Sequence, residues 1–254
     1  MDWLLLKKVS RSFYLTLRLL PGPVRETISL AYLLARLSDT EADGVVTDGE
    51  AELLARKDEL IGWLSQAWDR KEIEGVWAMI REGQEFDGQR FNMRDGKKPE
   101  PLTGAELERY TYLVAGCVGE FWTAICYKHL RKYGLRPEGE MTLLGIHFGQ
   151  GLQLVNILRD RAGDARIGRV YVEPKSWNAT VQWARACLDD AELYVRAVRP
   201  WRARVACALP LLLARETLDL VEQDPKASRV KVSRGRVRCL VLRAFCFRKR
   251  SEGG

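Results

Sequence analysis

Apolar residues recur every three to four positions along most of the chain, which is the spacing of helices with one buried face. The pattern is clear after Pro21 and Pro23. Proline is favoured at the start of a helix and disfavoured inside one, so these residues mark a helix start. The capping-box sequence Thr103-Gly104-Ala105-Glu106 marks another helix start. Helices are predicted over residues 24–38, 49–69, 71–82, 103–133, 141–160, 179–200, 203–223 and 233–247.

Two segments interrupt this periodicity. Residues 88–103 are polar and contain Gly, Lys and Pro, which predicts a loop, and residues 162–178 are predicted to be irregular. The sequence has no alternating strand pattern of useful length, no internal repeat and no low-complexity linker. We therefore expect one all-α domain over residues 1–254.

The positive charge is concentrated at the C-terminal end. The chain carries a net charge of +7, but residues 226–254 contain ten Lys or Arg and one acid, so the remainder sums to about −2. This basic tail, from about residue 226, belongs to no recognisable nucleic-acid-binding module, and we expect no nucleic-acid partner. Two interpretations stay open, a terminal helix with a solvated basic face or peripheral contact with an anionic membrane surface.

Cysteine content and hydropathy indicate the cellular compartment of the protein. The six cysteines form no CxxC pair, and most lie among apolar residues, as free core thiols do. No apolar run reaches the roughly 18 residues of a membrane span, and the first residues lack the basic start of a signal peptide. We expect a cytoplasmic protein, soluble or peripherally attached to a membrane.

Two acidic patterns stand in apolar surroundings. Asp39 and Asp43 are four residues apart and share one helix face, with Arg36 one turn earlier. The second pattern occupies one stripe of an otherwise apolar helix, which predicts that the stripe faces an internal cavity. Its members are Gln153, Asn156, Asp160 and Asp164.

Facing carboxylates of this kind need a cation to offset their charge. Oxygen ligands favour Mg²⁺, with Mn²⁺ as the alternative, and Mg²⁺ prefers to share its coordination sphere with substrate phosphates. The predicted ligand is a metal-bound diphosphate between two acidic helices. Arg36 and Arg159 are interpreted either as salt-bridge partners of these acids or as diphosphate contacts. His129 and His147 are interpreted as surface or core residues rather than metal ligands.

Four segments in consistent order, between about Ser10 and Ala244, resemble the squalene/phytoene synthase family. They are Ser10-Arg11-Ser12-Phe13 with Leu20-Pro21, LARLSDTEAD at 34–43, YTYLVAGCVGE at 110–120, and QLVNILRD at 153–160 with Asp164, Gly168-Arg169 and Tyr171.

The resemblance implies an all-helical isoprenoid synthase fold around a central cavity. It assigns Asp39, Asp43, Asn156, Asp160 and Asp164 to the metal–diphosphate cluster. It further implies diphosphate contacts or a place near the substrate for Arg36, Tyr110, Arg159, Arg169, Tyr171, Gln153, Ser10 and Phe13.

The implied reaction is head-to-head condensation of two farnesyl diphosphates. Asp39-Thr40 resembles the squalene synthases, so the expected product is squalene by way of presqualene diphosphate, with NADPH as the reductant. The alternatives are dehydrosqualene or phytoene formation without NADPH, and a non-catalytic member that binds prenyl diphosphate. A segment at 172–190 that is shorter than is usual in the family keeps this last alternative open. A class I terpene cyclase is disfavoured by the segment at 110–120.

Overall fold

The computed structural model describes residues 2–10, 13–44, 47–91, 100–225, 227 and 230–247, with only the backbone of Asp43. Its elements are α1 Trp3–Ser10, α2 Phe13–Leu19, α3 Gly22–Asp43, α4 Asp48–Ala55, α5 Lys57–Ser65, α6 Arg70–Arg90, α7 Gly104–Thr111, a π-helical turn Tyr112–Gly116, α8 Cys117–His129, α9 Glu138–Arg166, a 3₁₀ turn Pro174–Ser176, α10 Trp177–Ala197, α11 Trp201–Gln223 and α12 Arg234–Phe245. Between the described residues the only β pairing is an isolated bridge from Gly134 to Val198. The predicted all-α class is confirmed.

The helices pack around α9, the longest of them. It contacts α8, the π-helical turn, α10 and α11, while α3 packs against α4, α6 and α8. Within the described residues α3 and α9 do not pack on each other, and α8 contacts both. One hydrophobic cluster extends from Leu5 to Ala244. None of the described helices combines the length and hydropathy that a membrane span requires.

Glycines allow α9 to approach the preceding helical segment unusually closely. A Cβ added at Gly119 would lie 1.8 Å from the carbonyl oxygen of Gly145, and one at Gly149 would lie 2.0 Å from that of Ala115. Because side chains cannot occupy these positions, the two backbones are in direct contact. This packing sets the position of the polar side chains farther along α9.

Several predicted boundaries were wrong. The predicted helix 49–69 is two helices, because the chain breaks at Arg56. The predicted 71–82 helix continues to Arg90, so the loop begins later than 88, and residues 92–99 of that loop lie outside the described part. The helix predicted to reach 133 ends at His129, and the segment 162–178 is helical up to Arg166. Helices α1 and α2 were not predicted.

Candidate active site

The C-terminal end of α3 carries the first acidic motif. One guanidinium nitrogen of Arg36 donates to Asp39 at 2.9 Å, and another donates to Glu50 on α4 at 2.7 Å. Glu50 is held in place because its carboxylate also closes the capping box with Thr47. The Nε–H group of Arg36 is buried and has no acceptor among the described residues. The backbone of Asp43 ends the same helix, and its side chain lies outside the described residues.

Helix α6 supplies two polar groups that the sequence interpretation missed. Gln84 donates from its amide nitrogen to Asp39 at 2.6 Å, so α6 is tied to the first acidic motif. Asp87, one turn later, is buried. It accepts a hydrogen bond from the Tyr171 hydroxyl at 2.6 Å and pairs with Arg169 at 3.1 Å. Gln84 and Asp87 lie three residues apart and share one face of the helix, so α6 contacts both the first motif and the segment that follows α9.

Tyr110 and Tyr171 form an aromatic pair beside Asp87. Their rings stack with centroids 5.2 Å apart, and their hydroxyl oxygens lie 3.4 Å apart. Burial is the main cause that raises the pKa of each tyrosine, and the charge of Asp87 adds to it. Both hydroxyls therefore stay protonated at neutral pH and can donate hydrogen bonds.

Within the acidic stripe of α9 Asp160 is exposed, and the other members are half-buried. Gln153 and Asn156 are half-buried, and neither side-chain amide is bonded to any other described residue. Asp160 is exposed and pairs with the adjacent Arg159. The prediction that the whole stripe faces an internal cavity is therefore wrong for Asp160, whose side chain is exposed although that of Asp164, one turn later, is half-buried.

The carboxyl group of Asp164 has a raised pKa. Burial, followed by the negative charge of Asp160, raises the pKa of Asp164 to about 6. The charge of Asp87 acts in the same direction, and Arg169 opposes it. Excess negative charge of this kind favours a bound cation. The described part of the chain contains no group of three or more His, Cys, Asp or Glu that could hold a metal ion.

Ser10 and Phe13, the two predicted site residues near the N-terminus, have different contacts. Ser10 is buried, and its hydroxyl donates to the backbone carbonyl of Leu6 one turn earlier. Phe13 packs on Tyr32 of α3 with centroids 5.2 Å apart. Since Tyr32 lies one turn before Arg36, this contact places Phe13 beside the face of α3 that leads to the first motif.

The structure thus groups the site residues into two sets joined by α6. The first set is Arg36, Asp39 and Glu50, and the second is Asp164, Arg169, Tyr171 and Tyr110 with Asp87. Each set combines carboxylates with protonated donors, which is the chemistry needed to bind a metal-complexed diphosphate.

The sequence model of the squalene/phytoene synthase family matches residues 6–178 and 174–236. A presqualene diphosphate synthase of Rhodopseudomonas palustris is 33% identical over 171 residues, which cover 63% of this chain and 57% of that protein. A phytoene synthase of Thermus thermophilus is 32% identical over 188 residues, which cover 67% of this chain and 59% of that protein. The chain therefore spans less than two thirds of the length of these curated relatives.

Solved structures share the fold. A complex of TcSQS with the ligand BPH1237 aligns with a TM-score of 0.77 at 20% identity, over 99% of this chain and 92% of that one. A dehydrosqualene synthase in complex with a ligand aligns with a TM-score of 0.71 at 21% identity, over 96% and 94%. At these identities the structural likeness establishes the fold alone.

Proposed function

The chain belongs to the squalene/phytoene synthase family, and we propose that it is a prenyltransferase that condenses two farnesyl diphosphates head to head. The observation that carries this proposal is the link through α6 between the first acidic motif and the Arg169–Tyr171 segment that follows the second. Gln84 contacts Asp39 of the first motif, and Asp87, one helical turn later, bonds Tyr171 and Arg169 just beyond the end of α9. A single diphosphate group bound at this face of α6 would be within reach of donors from both motifs.

The residues present fit a divalent cation. Asp39, Asp43, Asn156, Asp160 and Asp164 supply the oxygen donors that Mg²⁺ or Mn²⁺ prefers. The raised pKa of Asp164 reflects neighbouring negative charge that a cation would offset. When bound, the metal would act as a Lewis acid toward the leaving diphosphate.

The protein's own donors would bind the rest of the diphosphate charge. The unsatisfied Nε–H of Arg36 is one such donor, and Arg159 and Arg169 could exchange their carboxylate partners for diphosphate oxygens. Tyr110 would add a neutral hydroxyl donor, while the single hydroxyl proton of Tyr171 is donated to Asp87. Together these groups stabilise the negative charge that develops as the allylic C–O bond breaks and its electron pair leaves with the diphosphate.

The carbon chemistry needs position rather than a nucleophilic side chain. The allylic cation would be attacked by the double bond of the second farnesyl chain, and loss of a proton would close a cyclopropane ring to give presqualene diphosphate. Phe13 is the aromatic side chain that could stabilise the cation, through its ring face. A second ionisation and hydride transfer from NADPH would then give squalene.

A specific observation also supports a second candidate. The similarity to a phytoene synthase nearly equals that to a presqualene diphosphate synthase. Condensation of two geranylgeranyl diphosphates to phytoene, or of farnesyl diphosphates to dehydrosqualene, would use the same diphosphate site without NADPH.

Product analysis by mass spectrometry tests the proposal. Purified protein is incubated with Mg²⁺ and either farnesyl or geranylgeranyl diphosphate, with and without NADPH. Presqualene diphosphate without NADPH and squalene with it would support the proposal. Dehydrosqualene or phytoene would favour the second candidate, and the absence of any condensed product from either substrate would contradict both.

A further inference from the structure

The C-terminal helix α12 is held firmly against the body of the protein along one side. Leu240 and Ala244 are buried on that side, and Arg236 pairs with Glu216 of α11 at 2.8 Å. Just beyond the helix, the backbone carbonyl of Phe247 accepts a hydrogen bond from Arg204 at 3.1 Å. The opposite side of α12 is therefore presented to solvent in a defined orientation.

That opposite side combines basic and apolar residues. Arg234, Arg238, Leu242 and Phe245 follow one another at intervals of four, four and three, so they form one line along the helix. We call these four residues the outer face of α12. Leu242 is 69% exposed and Phe245 is 51% exposed, although both are large apolar side chains. Exposed apolar groups beside arginines are typical of helices that lie on a membrane surface.

The two arginines of the outer face have no ionic partner within the described part of the protein. Neither Arg234 nor Arg238 forms an ion pair with another described residue. Arg234 lies in the first turn of α12, at the positive end of the helix dipole, where cations are disfavoured. That turn contains no acidic residue. The segment 226–254 as a whole holds ten basic residues and one acidic residue. This arrangement is electrostatically unfavourable in isolation and becomes favourable beside an anionic surface.

We propose that the outer face of α12 docks the protein on an anionic lipid bilayer. Arg234 and Arg238 would contact lipid headgroups, while Leu242 and Phe245 would enter the boundary between headgroups and acyl chains. A nucleic acid would satisfy the arginines as well, but it offers no apolar layer for Leu242. The docking does not depend on the proposed catalytic activity.

Vesicle co-sedimentation of the full chain tests the proposal. Binding is measured on vesicles of phosphatidylcholine alone and of phosphatidylcholine mixed with phosphatidylglycerol, at low and high salt. We expect binding to the anionic vesicles only, and weaker binding at high salt. Binding to neither vesicle, or equal binding to both, would overturn the proposal.

Two double variants separate the contributions. Arg234→Ser with Arg238→Ser should weaken binding about 25-fold, because each basic residue near an anionic surface contributes a factor of about five. Leu242→Ser with Phe245→Ser keeps the charge and should weaken binding by about tenfold or more. All four side chains are exposed, so the far-UV circular dichroism of both variants should match the wild type.

Matched controls guard against nonspecific effects. Lys7→Ser with Lys71→Ser removes two exposed basic residues elsewhere, and Leu4→Ser removes a leucine that is 71% exposed on α1. These variants should bind like the wild type. If the Leu242/Phe245 variant also bound like the wild type while a single-stranded oligonucleotide displaced the protein from vesicles, the surface would be a polyanion site and the proposal would be wrong.

Discussion

Asp87 offers a sharp test of the site because two groups depend on its carboxylate. Its side chain is 9% exposed, and it receives the Tyr171 hydroxyl at 2.6 Å and Arg169 at 3.1 Å. In Asp87→Asn the amide oxygen can still accept from Tyr171, but the negative charge opposite Arg169 is lost. Hydrogen bonds to a charged partner contribute about 1.5–3 kcal/mol, and Arg169 is partly exposed, so we expect a loss of about 2 kcal/mol.

The expected change is measurable in a thermal melt and in turnover. For a chain of this size, about 2 kcal/mol corresponds to a decrease in Tm of about 4–8 °C. The kcat for condensation should fall about tenfold or more, because Arg169 and Tyr171 would no longer be held in one orientation. Asp190→Asn is the control, since Asp190 bonds His147 at 2.6 Å at a more exposed position and should cost less than about 1 kcal/mol. Equal Tm changes in the two variants, or wild-type turnover in Asp87→Asn, would refute the reasoning.

Further predictions concern helix packing and pH. Gly149→Ala should lower the free energy of unfolding by at least about 2 kcal/mol, since its Cβ would meet the Ala115 carbonyl oxygen. By contrast Gly163→Ala, in open space on the same helix, should raise it by about 0.5–1 kcal/mol; equal urea midpoints would contradict the packing account. Burial alone would raise the pKa of Asp69, but hydrogen bonds from Thr27, Lys128 and His129 hold it below its ordinary value. Asp69→Asn should therefore lose about 1–3 kcal/mol at pH 7, and the difference from wild type should shrink below about pH 4, as the wild-type carboxylate is protonated; a difference independent of pH in urea titrations would contradict this.

The helical class and most of the acidic positions could be predicted because they depend on local periodicity. Asp160 lies inside a predicted helix, whereas Asp39 and Asp164 were found by their four-residue spacing, because α3 and α9 extend beyond the predicted ends at residues 38 and 160. The pattern does not report how neighbouring elements cover each position along a helix. For that reason the exposure of Asp160 could not be predicted.

Gln84 and Asp87 were missed for a related reason. The prediction ended their helix at residue 82, before Gly83, and Gly88 reinforced the expectation of a loop. In the structure Gly83 lies inside the helix. It is a glycine where the π-helical turn packs closely, since a Cβ there would lie 2.5 Å from Val114 of that turn. Tertiary packing therefore accounts for this glycine, and a single sequence gives no signal that separates such a residue from a helix breaker. A polar pair three residues apart, Gln84 and Asp87, was the one hint available.

The ion pair between Arg36 and Glu50 was also missed, because it too depends on tertiary packing. The two residues are on different helices, and Glu50 was predicted only as part of the helix over 49–69. Its role depends on how the chain turns between α3 and α4, which local propensity does not determine.

The central claim is that the acidic motifs of α3 and α9 act together on one diphosphate group. Its most direct test is the turnover of farnesyl diphosphate with Mg²⁺ by Asp39→Asn and Asp160→Asn, one variant from each helix, compared with the wild type. The account predicts that each variant loses condensed product while its circular dichroism and Tm stay close to those of the wild type. Near-wild-type turnover in either variant would contradict the claim.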